Sequence, residues 1–269
     1  MSSQSGFSRG DDLALAHRLA DAADAITLSR YQALDLTIDT KPDNTPVTDA
    51  DKSAESAIRA LLSAHRPDDG IVGEEFGDEG VNRNRYWVID PIDGTKNFLR
   101  GVPTWATLIG LVERQADGSQ KTIVGVVSAP ALYRRWHAMV GNGAFVRAGA
   151  ATPRRISTSK VTSISDASIS YSDFIGWGEK LEPFQKLMSD AWRTRGIGDF
   201  WSHMLVAEGA VDIAIEPQLA LWDMAALDVI VTEAGGRFTS TAGVDGPHGG
   251  SAISSNGLLH NYVVEALSK

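Results

Sequence analysis

The chain has 269 residues, with 34 acidic against 25 basic side chains for a formal net charge of −9, 43% apolar residues and no cysteine. That length can bury a sizeable core, as one large α/β domain or two closely packed halves, and an acidic balance without a dense Lys/Arg run argues against a nucleic-acid partner. The absence of thiols removes disulfides, thiolate nucleophiles and cysteine-based zinc sites and suits a reducing cytoplasm, while no apolar run reaches membrane-spanning length.

Residues 1–10 are polar and Ser/Gly-rich without an apolar stretch behind them, which predicts a flexible tail rather than a secretory signal. From Asp11 to Ala33 the residues Leu13, Ala16, Leu19, Ala20, Ala23, Ile26 and Leu28 recur at helical spacing. A second helix is announced by Thr48 with Asp51 three residues on, a capping-box pattern, and its apolar face of Ala54, Ile58, Leu61 and Leu62 stops at Pro67. The period then changes, and Ile71–Gly73, Tyr86–Ile89, Ala106–Val112, Ile123–Ser128 and Arg135–Val140 read as strands of a largely antiparallel sheet. After a division placed near residue 150 the pattern is mixed: strands near Ala167–Tyr171 and Val211–Ile215, and helices near Leu181–Ala191, Phe200–Glu208, Met224–Ala234 and Gly257–Leu267. The expected organisation is a tail over 1–10, an α+β half over 11–150 and an α/β half over 151–269.

Four clusters carry the chemistry. In Trp87-Val88-Ile89-Asp90-Pro91-Ile92-Asp93-Gly94-Thr95 an apolar strand runs into two carboxylates, a glycine and a hydroxyl. A charge at the end of a buried strand costs several kcal/mol or shifts its pKa unless it is paired, and a hard divalent cation suits two such acids. Gly94 and Thr95 can expose backbone N–H groups to a phosphate where a helix begins; the plain alternative is an acidic turn. On its own Glu74-Glu75 at the end of a short strand reads as a solvated acidic loop, Asp223 after Trp222 as the N-cap of a helix, and Lys41-Pro42-Asp43 through Thr48-Asp51 as a turn into a capped helix start.

Together, Lys41, Asp51, Gly73-Glu74-Glu75, Trp87–Phe98 and Trp222-Asp223 fall in an order that resembles the inositol monophosphatase family, and the resemblance extends through Gly141–Phe145, Val206–Asp212, Val231–Gly236 and Ser255-Asn256-Gly257. Within that family Asp93-Gly94-Thr95-Lys96-Asn97, Arg100-Gly101-Val102-Pro103, Ser128-Ala129-Pro130-Ala131 and Gly198-Asp199-Phe200 are similar to the bacterial histidinol-phosphate phosphatase branch. The resemblance implies a layered αβαβα sandwich and hydrolysis of a small phosphate monoester with two or three Mg²⁺ ions. It makes Glu74, Asp90, the Ile92 carbonyl, Asp93 and Asp223 the metal ligands. Thr95 and Asp51, with Glu74, would serve an attacking water, and Asp93, Gly94, Thr95, Arg195, Asp199, Glu216 and Asp223 would contact the substrate. It also implies a homodimer. Histidinol phosphate carries an amine and an imidazole, which the acids Asp199 and Glu216 could bind; Asp199 could equally cap the helix after it, and Arg195 could pair with a surface acid.

Rival phosphatase classes fit less well. An aspartyl nucleophile uses D-x-D, whereas two residues separate Asp90 from Asp93. A histidine-built metal site needs H-x-H, and His17, His65, His137, His203, His248 and His260 form no such pair, reading instead as surface or capping residues. An inositol monophosphatase or broad-specificity sugar phosphatase stays open, as does a non-catalytic binding module, against which the complete ligand set speaks. Trp105, Trp136, Trp177, Phe200 and Trp201 read as core rather than ligand platforms. Asp49, beside Asp51, is either a cap or a modifier of metal affinity.

Overall fold

The computed structural model describes residues 6–42 and 45–268. In chain order its elements are α1 (Arg9–Arg30), β1 (Ile38–Thr40), β2 (Pro46–Thr48), α2 (Asp49–His65), β3 (Gly70–Gly73), β4 (Gly77–Glu79), β5 (Arg85–Asp93), α3 (Thr95–Leu99), β6 (Ala106–Arg114), β7 (Gln120–Ala129), β8 (Arg134–Met139), β9 (Gly143–Ala148) and β10 (Arg154–Ile156). There follow β11 (Ser168–Tyr171), α4 (Leu181–Asp190), β12 (Arg193–Gly196), α5 (Asp199–Ala207), β13 (Ile213–Glu216), α6 (Leu221–Glu233), β14 (Arg237–Thr239), β15 (Ala252–Ser255) and α7 (His260–Ala266). Strands β10-β9-β8-β7-β6-β5-β3-β4 form one sheet and β12-β11-β13-β15-β14 another. The apolar faces of α1 and α2 bury Leu15, Leu19, Ile58 and Leu62 against Trp87, Ile109 and Val126 of the first sheet. On its other face lie α5 and α6, which also cover the second sheet, and α4 and α7 close the far side around Phe184, Ile213 and Val263. This is the expected αβαβα sandwich.

The first sheet continues through β10, which pairs antiparallel with β9, so the chain changes sheets after Ile156 rather than near residue 150, and α5 and α6 are shared by both sheets. Helix α1 begins at Arg9, earlier than read, because Ser8 and Asp11 make a reciprocal capping box. Phe7 also lies 3.6 Å over the Arg66 guanidinium, so the expected tail over 1–10 gives way to ordered contacts; Met1–Ser5 lie outside the described residues. Buried Asp12 accepts from Arg66 at 3.0 Å and pairs with Arg85 at 2.9 Å, which ties α1 to the end of α2 and the start of β5. Among the described residues no helix is long and apolar enough to cross a membrane.

The expectation of surface histidines fails for two of them. His203, on the shared helix α5, and His260 are fully buried, with His203 Nδ1 2.6 Å from Ser254 Oγ and the two His260 ring nitrogens 2.9 and 2.8 Å from Thr239 and Ser255. Burial brings the pKa of each down to about 4. An unfolded chain takes up these protons near pH 6.5, so the stability the neutral rings contribute is complete above that pH and is lost as pH falls toward 4. Between pH 6.5 and 4.5 the urea-derived unfolding free energy of the native chain is expected to fall more steeply than that of a His203→Asn, His260→Asn chain; parallel curves would refute the assignment.

Helix α6 approaches the first sheet closely enough to forbid side chains beneath it. A Cβ on Gly125 would stand 2.5 Å from Val229 and 2.8 Å from the Ala226 carbonyl, and one on Gly110 3.0 Å from the Ala225 Cβ. Gly125→Ala should therefore push α6 outward and cost about 1–3 kcal/mol, read as a lower urea midpoint; an unchanged midpoint would mean that the helix yields without strain.

Candidate active site

β5 is buried along its whole length and ends in Asp90-Pro91-Ile92-Asp93. Residues three apart on a regular strand face opposite sides. Here β5 advances from Asp90 to Asp93 while its neighbour β6 advances only from Leu108 to Ala106, and this one-residue bulge turns Asp93 back toward Asp90. Thr107 Oγ1 fixes the bulge by donating to the Pro91 carbonyl at 2.8 Å. The N-terminus of α6 brings Asp223, and ligand oxygens of Asp90, Asp93 and Asp223 lie within 4.8 Å of one another.

Each of these acids is tethered through one oxygen. Asp90 accepts from the Ile92 N–H at 2.9 Å, Asp93 from the Phe200 N–H at 2.7 Å, and Asp223 from the Ala220 N–H at 2.7 Å. Asp223 is thus the third residue of α6, reaching back to the cap position held by Ala220, and not the N-cap itself. Burial, then the charge of Glu74 and the other two acids, pushes the Asp90 pKa well up. Asp93 is raised by burial and by Asp199 and Asp223, and Asp223 goes to about 7 through burial with Glu74 adding to it. An all-oxygen donor set of this density fits a hard divalent ion such as Mg²⁺.

Glu74 sits in the turn after β3, its carboxylate 2.7 Å from Lys41 Nζ, which also holds Glu75 at 2.7 Å. Burial raises the Glu75 pKa to about 7. Asp43 of the Lys41 cluster lies outside the described residues. At the start of α2 the capping box is present, with Asp51 accepting from the Thr48 N–H and hydroxyl. Its other oxygen, Oδ1, is buried without a partner, and burial raises the Asp51 pKa to about 6. Asp49 points elsewhere, onto Arg30 at 2.9 Å and the Thr37 N–H, and belongs to neither the cap nor the acid cluster.

Gly94 adopts φ +83°, and a Cβ there would meet the Thr104 carbonyl at 3.0 Å and Asp199 at 3.2 Å, so glycine is required twice over. Thr95 opens α3 and donates its hydroxyl to the Ile92 carbonyl at 3.0 Å. These residues floor a cavity of about 330 Å³ bounded by Glu74, Ser172, Asp173, Ile197 and Asp199. Asp199 is the first residue of α5, after the cap residue Gly198, with φ +51°. It does not cap the helix: its carboxylate accepts from Asn97 Nδ2 at 3.0 Å. Ser172 links the expected acidic pair, receiving the Asp199 N–H at 3.2 Å and donating to Glu216 at 2.7 Å. Burial lifts Asp199 to about 6 and, with Asp199 and Asp173 adding charge, Glu216 to about 8.

Arg195 is not brought to this cavity; it stands exposed on the edge strand β12 with its guanidinium on the Thr194 carbonyl. Trp105, Trp136, Trp177 and Phe200 are buried in the core, and Trp201 packs against it. Sequence reasoning missed Ser172, Asn97 and Glu55. A small polar residue after a strand and an acid inside a helix carry no motif, and the only available signal was the i, i+4 spacing of Asp51, Glu55 and Arg59.

The sequence matches the inositol monophosphatase family over residues 11–269. It is 56% identical to a histidinol-phosphatase from Mycobacterium tuberculosis over 260 residues, covering 96% of this chain and 98% of the relative. A histidinol-phosphatase from Streptomyces coelicolor is 55% identical over 261 residues, covering 96% and 97%. The solved inositol monophosphatase from Zymomonas mobilis superposes with a TM-score of 0.83 at 31% identity, covering 99% of this chain and all of that one. With the bulged acid pair, the Asp223 arm and the layered fold all in place, the chain belongs to the inositol monophosphatase family.

Proposed function

We propose that the chain is a Mg²⁺-dependent phosphatase that hydrolyses L-histidinol phosphate to L-histidinol and phosphate in the cytoplasm. The observation that carries the reading is the crowding of Asp90, Asp93 and Asp223 next to a cavity lined by Glu74, Gly94, Thr95, Ser172 and Asp199, with Glu216 joined to that lining through Ser172. Glu74, Asp90, the Ile92 carbonyl, Asp93 and Asp223 would hold two or three Mg²⁺. When bound, Mg²⁺ neutralises charge on the phosphoryl group and makes water more acidic.

The chain's own groups do the rest. Asp51, through its unpartnered Oδ1, takes the proton of the attacking water, and the Thr95 hydroxyl orients that water. Backbone N–H groups of Gly94 and Thr95 hold the phosphoryl oxygens, where positioned donors stabilise the spread charge of a loose transition state. Water attacks phosphorus directly, the P–O bond to the alcohol breaks, the departing oxygen takes a proton from solvent to leave as the alcohol, and no phosphorylated side chain forms. Asp199 and Glu216 face the leaving alcohol, and two acids suit the ammonium and imidazole of histidinol better than a neutral polyol. The two relatives at 55–56% identity, both histidinol-phosphatases, support the same choice.

Phosphate release from L-histidinol phosphate, inositol 1-phosphate and fructose 1,6-bisphosphate tests this directly, with Asp93→Asn as the blank. The first ester is expected to turn over fastest, and release should vanish without Mg²⁺ or in the blank. Glu216→Gln should lose about 2–5 kcal/mol of transition-state binding for the cationic ester, a drop of at least about 30-fold in kcat/KM. An equal loss on the other two esters, whose leaving alcohols carry no cation, would remove the acidic pair from specificity, and faster turnover of inositol phosphate would make the chain an inositol monophosphatase.

A homodimer belongs to the same proposal. Light scattering should give a particle of twice the 28.8 kDa chain mass, and a 28.8 kDa particle would withdraw it.

A further inference from the structure

Helix α2 carries Asp51, Glu55 and Arg59 four residues apart, stacked on one face beside the apolar line of Ala54, Ile58 and Leu62. Asp51 has a place in the proposed chemistry; Glu55 and Arg59 have none. Yet Glu55 is completely buried, a position that costs a carboxylate several kcal/mol unless its oxygens are bonded. They are. One accepts from the Glu75 N–H at 2.8 Å; the other accepts from the Phe76 N–H at 3.3 Å and from Arg59 Nε at 2.7 Å. Arg59 in turn donates to the Gly77 carbonyl. Two side chains of α2 thus grip both edges of the turn that joins β3 to β4.

That turn carries Glu74. It lies at the margin of the sheet, where β4 is an exposed edge strand of three residues, a place where hairpins fray. Asp90, Asp93 and Asp223 each have a carboxylate oxygen fixed by a backbone N–H, whereas Glu74 has its carboxylate on the flexible ammonium of Lys41, a cation that competes for it. What fixes Glu74 is its main chain: its own N–H donates to the Ile89 carbonyl at 3.2 Å, and the next two N–H groups go to Glu55. Gly73 completes the fit, since a Cβ there would overlap Glu55 Oε1 and stand 2.8 Å from Arg59 Nη2.

We infer that Glu55, braced by Arg59 and admitted by Gly73, is a positioning residue that orients the Glu74 arm toward Asp90 and Asp223 and so sets the affinity for Mg²⁺ without touching the ion. The inference rests on the metal-site reading above. Groups that hold metal ligands in place typically contribute about 10–100-fold in affinity.

The test is calorimetric titration of Mg²⁺ into the substrate-free chain, with hydrogen exchange at the Glu75 and Phe76 amides. Glu55→Ala and Gly73→Ala are each expected to weaken Mg²⁺ binding about 10–100-fold and to speed exchange at those two amides. KM for the ester at saturating Mg²⁺ should stay within about twofold, because substrate contacts are untouched. The double variant should lose little more than either single one, since both act on one contact. Glu55→Gln, which keeps one acceptor oxygen, should lie between, and it decides the matter with Gly73→Ala if Glu55→Ala does not fold. Folded Glu55→Gln and Gly73→Ala chains that bind Mg²⁺ as the native chain does would overturn the inference while sparing the metal site. A native chain that binds no better than Asp93→Asn would remove the metal-site reading, and this inference with it.

Discussion

Glu74, Asp90, Asp93 and Asp223 share one largely buried corner of the molecule, and their mutual repulsion is the constraint around which the fold is organised. Burial alone drives each of the three aspartates toward its neutral form, and the neighbouring charges drive it further. Such a group persists only where the rest of the structure over-determines it. The helices of the middle layer do so: α5 and α6 both begin at the site and offer the N–H groups of Phe200 and Ala220, so the positive ends of two helix dipoles meet Asp93 and Asp223. Each tether uses one carboxylate oxygen, and each acid offers a ligand oxygen within 4.8 Å of the other two. That is the arrangement a cation needs.

The helices can point there because nothing separates them from the sheet. Gly110 and Gly125 beneath α6, with Ala225 and Ala226 on it, let backbone approach backbone, and the start of α6 is thereby referenced to β6 and β7. A larger residue at any of these positions would displace Asp223 together with the core. Stability and ligand geometry are therefore determined by the same contacts, and small residues far from the cavity belong to the site in the energetic sense.

The acid cluster was legible in the sequence because a strand as apolar as Trp87-Val88-Ile89 has no local reason to end in two carboxylates, and the order of the remaining acids supplied the rest. Its geometry was not legible. Strand alternation places Asp90 and Asp93 on opposite faces, and only the pairing with β6 reveals the extra residue that reunites them. Glu55 was invisible for a related reason: an acid four residues before an arginine on a helix is, in sequence, an ordinary solvated pair, and its burial depends on a turn twenty residues later. His203 and His260 read as surface residues because nothing local announces that α5 is sandwiched between two sheets. Arg195 shows the converse, a motif position filled by the expected residue whose side chain stands outside the cavity in a single chain.

Chemistry and selectivity meet at the start of α5. Phe200 gives its N–H to Asp93, in the acid cluster, while the residue before it, Asp199, lines the cavity and accepts from Asn97. Two consecutive residues can serve both sides only if the backbone turns sharply between them and the preceding strand, and it does: Gly198 has φ +78° and Asp199 φ +51°. A side chain at Gly198 would strike Ser172, whose hydroxyl joins the Asp199 main chain to Glu216. Asp199 and Glu216 are therefore indexed to the acid cluster through one strained dipeptide. In the proposed phosphatase, where metal and backbone donors would meet only the phosphoryl group, discrimination has to come from the acids around the leaving alcohol, and the positive-φ turn at Gly198-Asp199 sets where Asp199 stands.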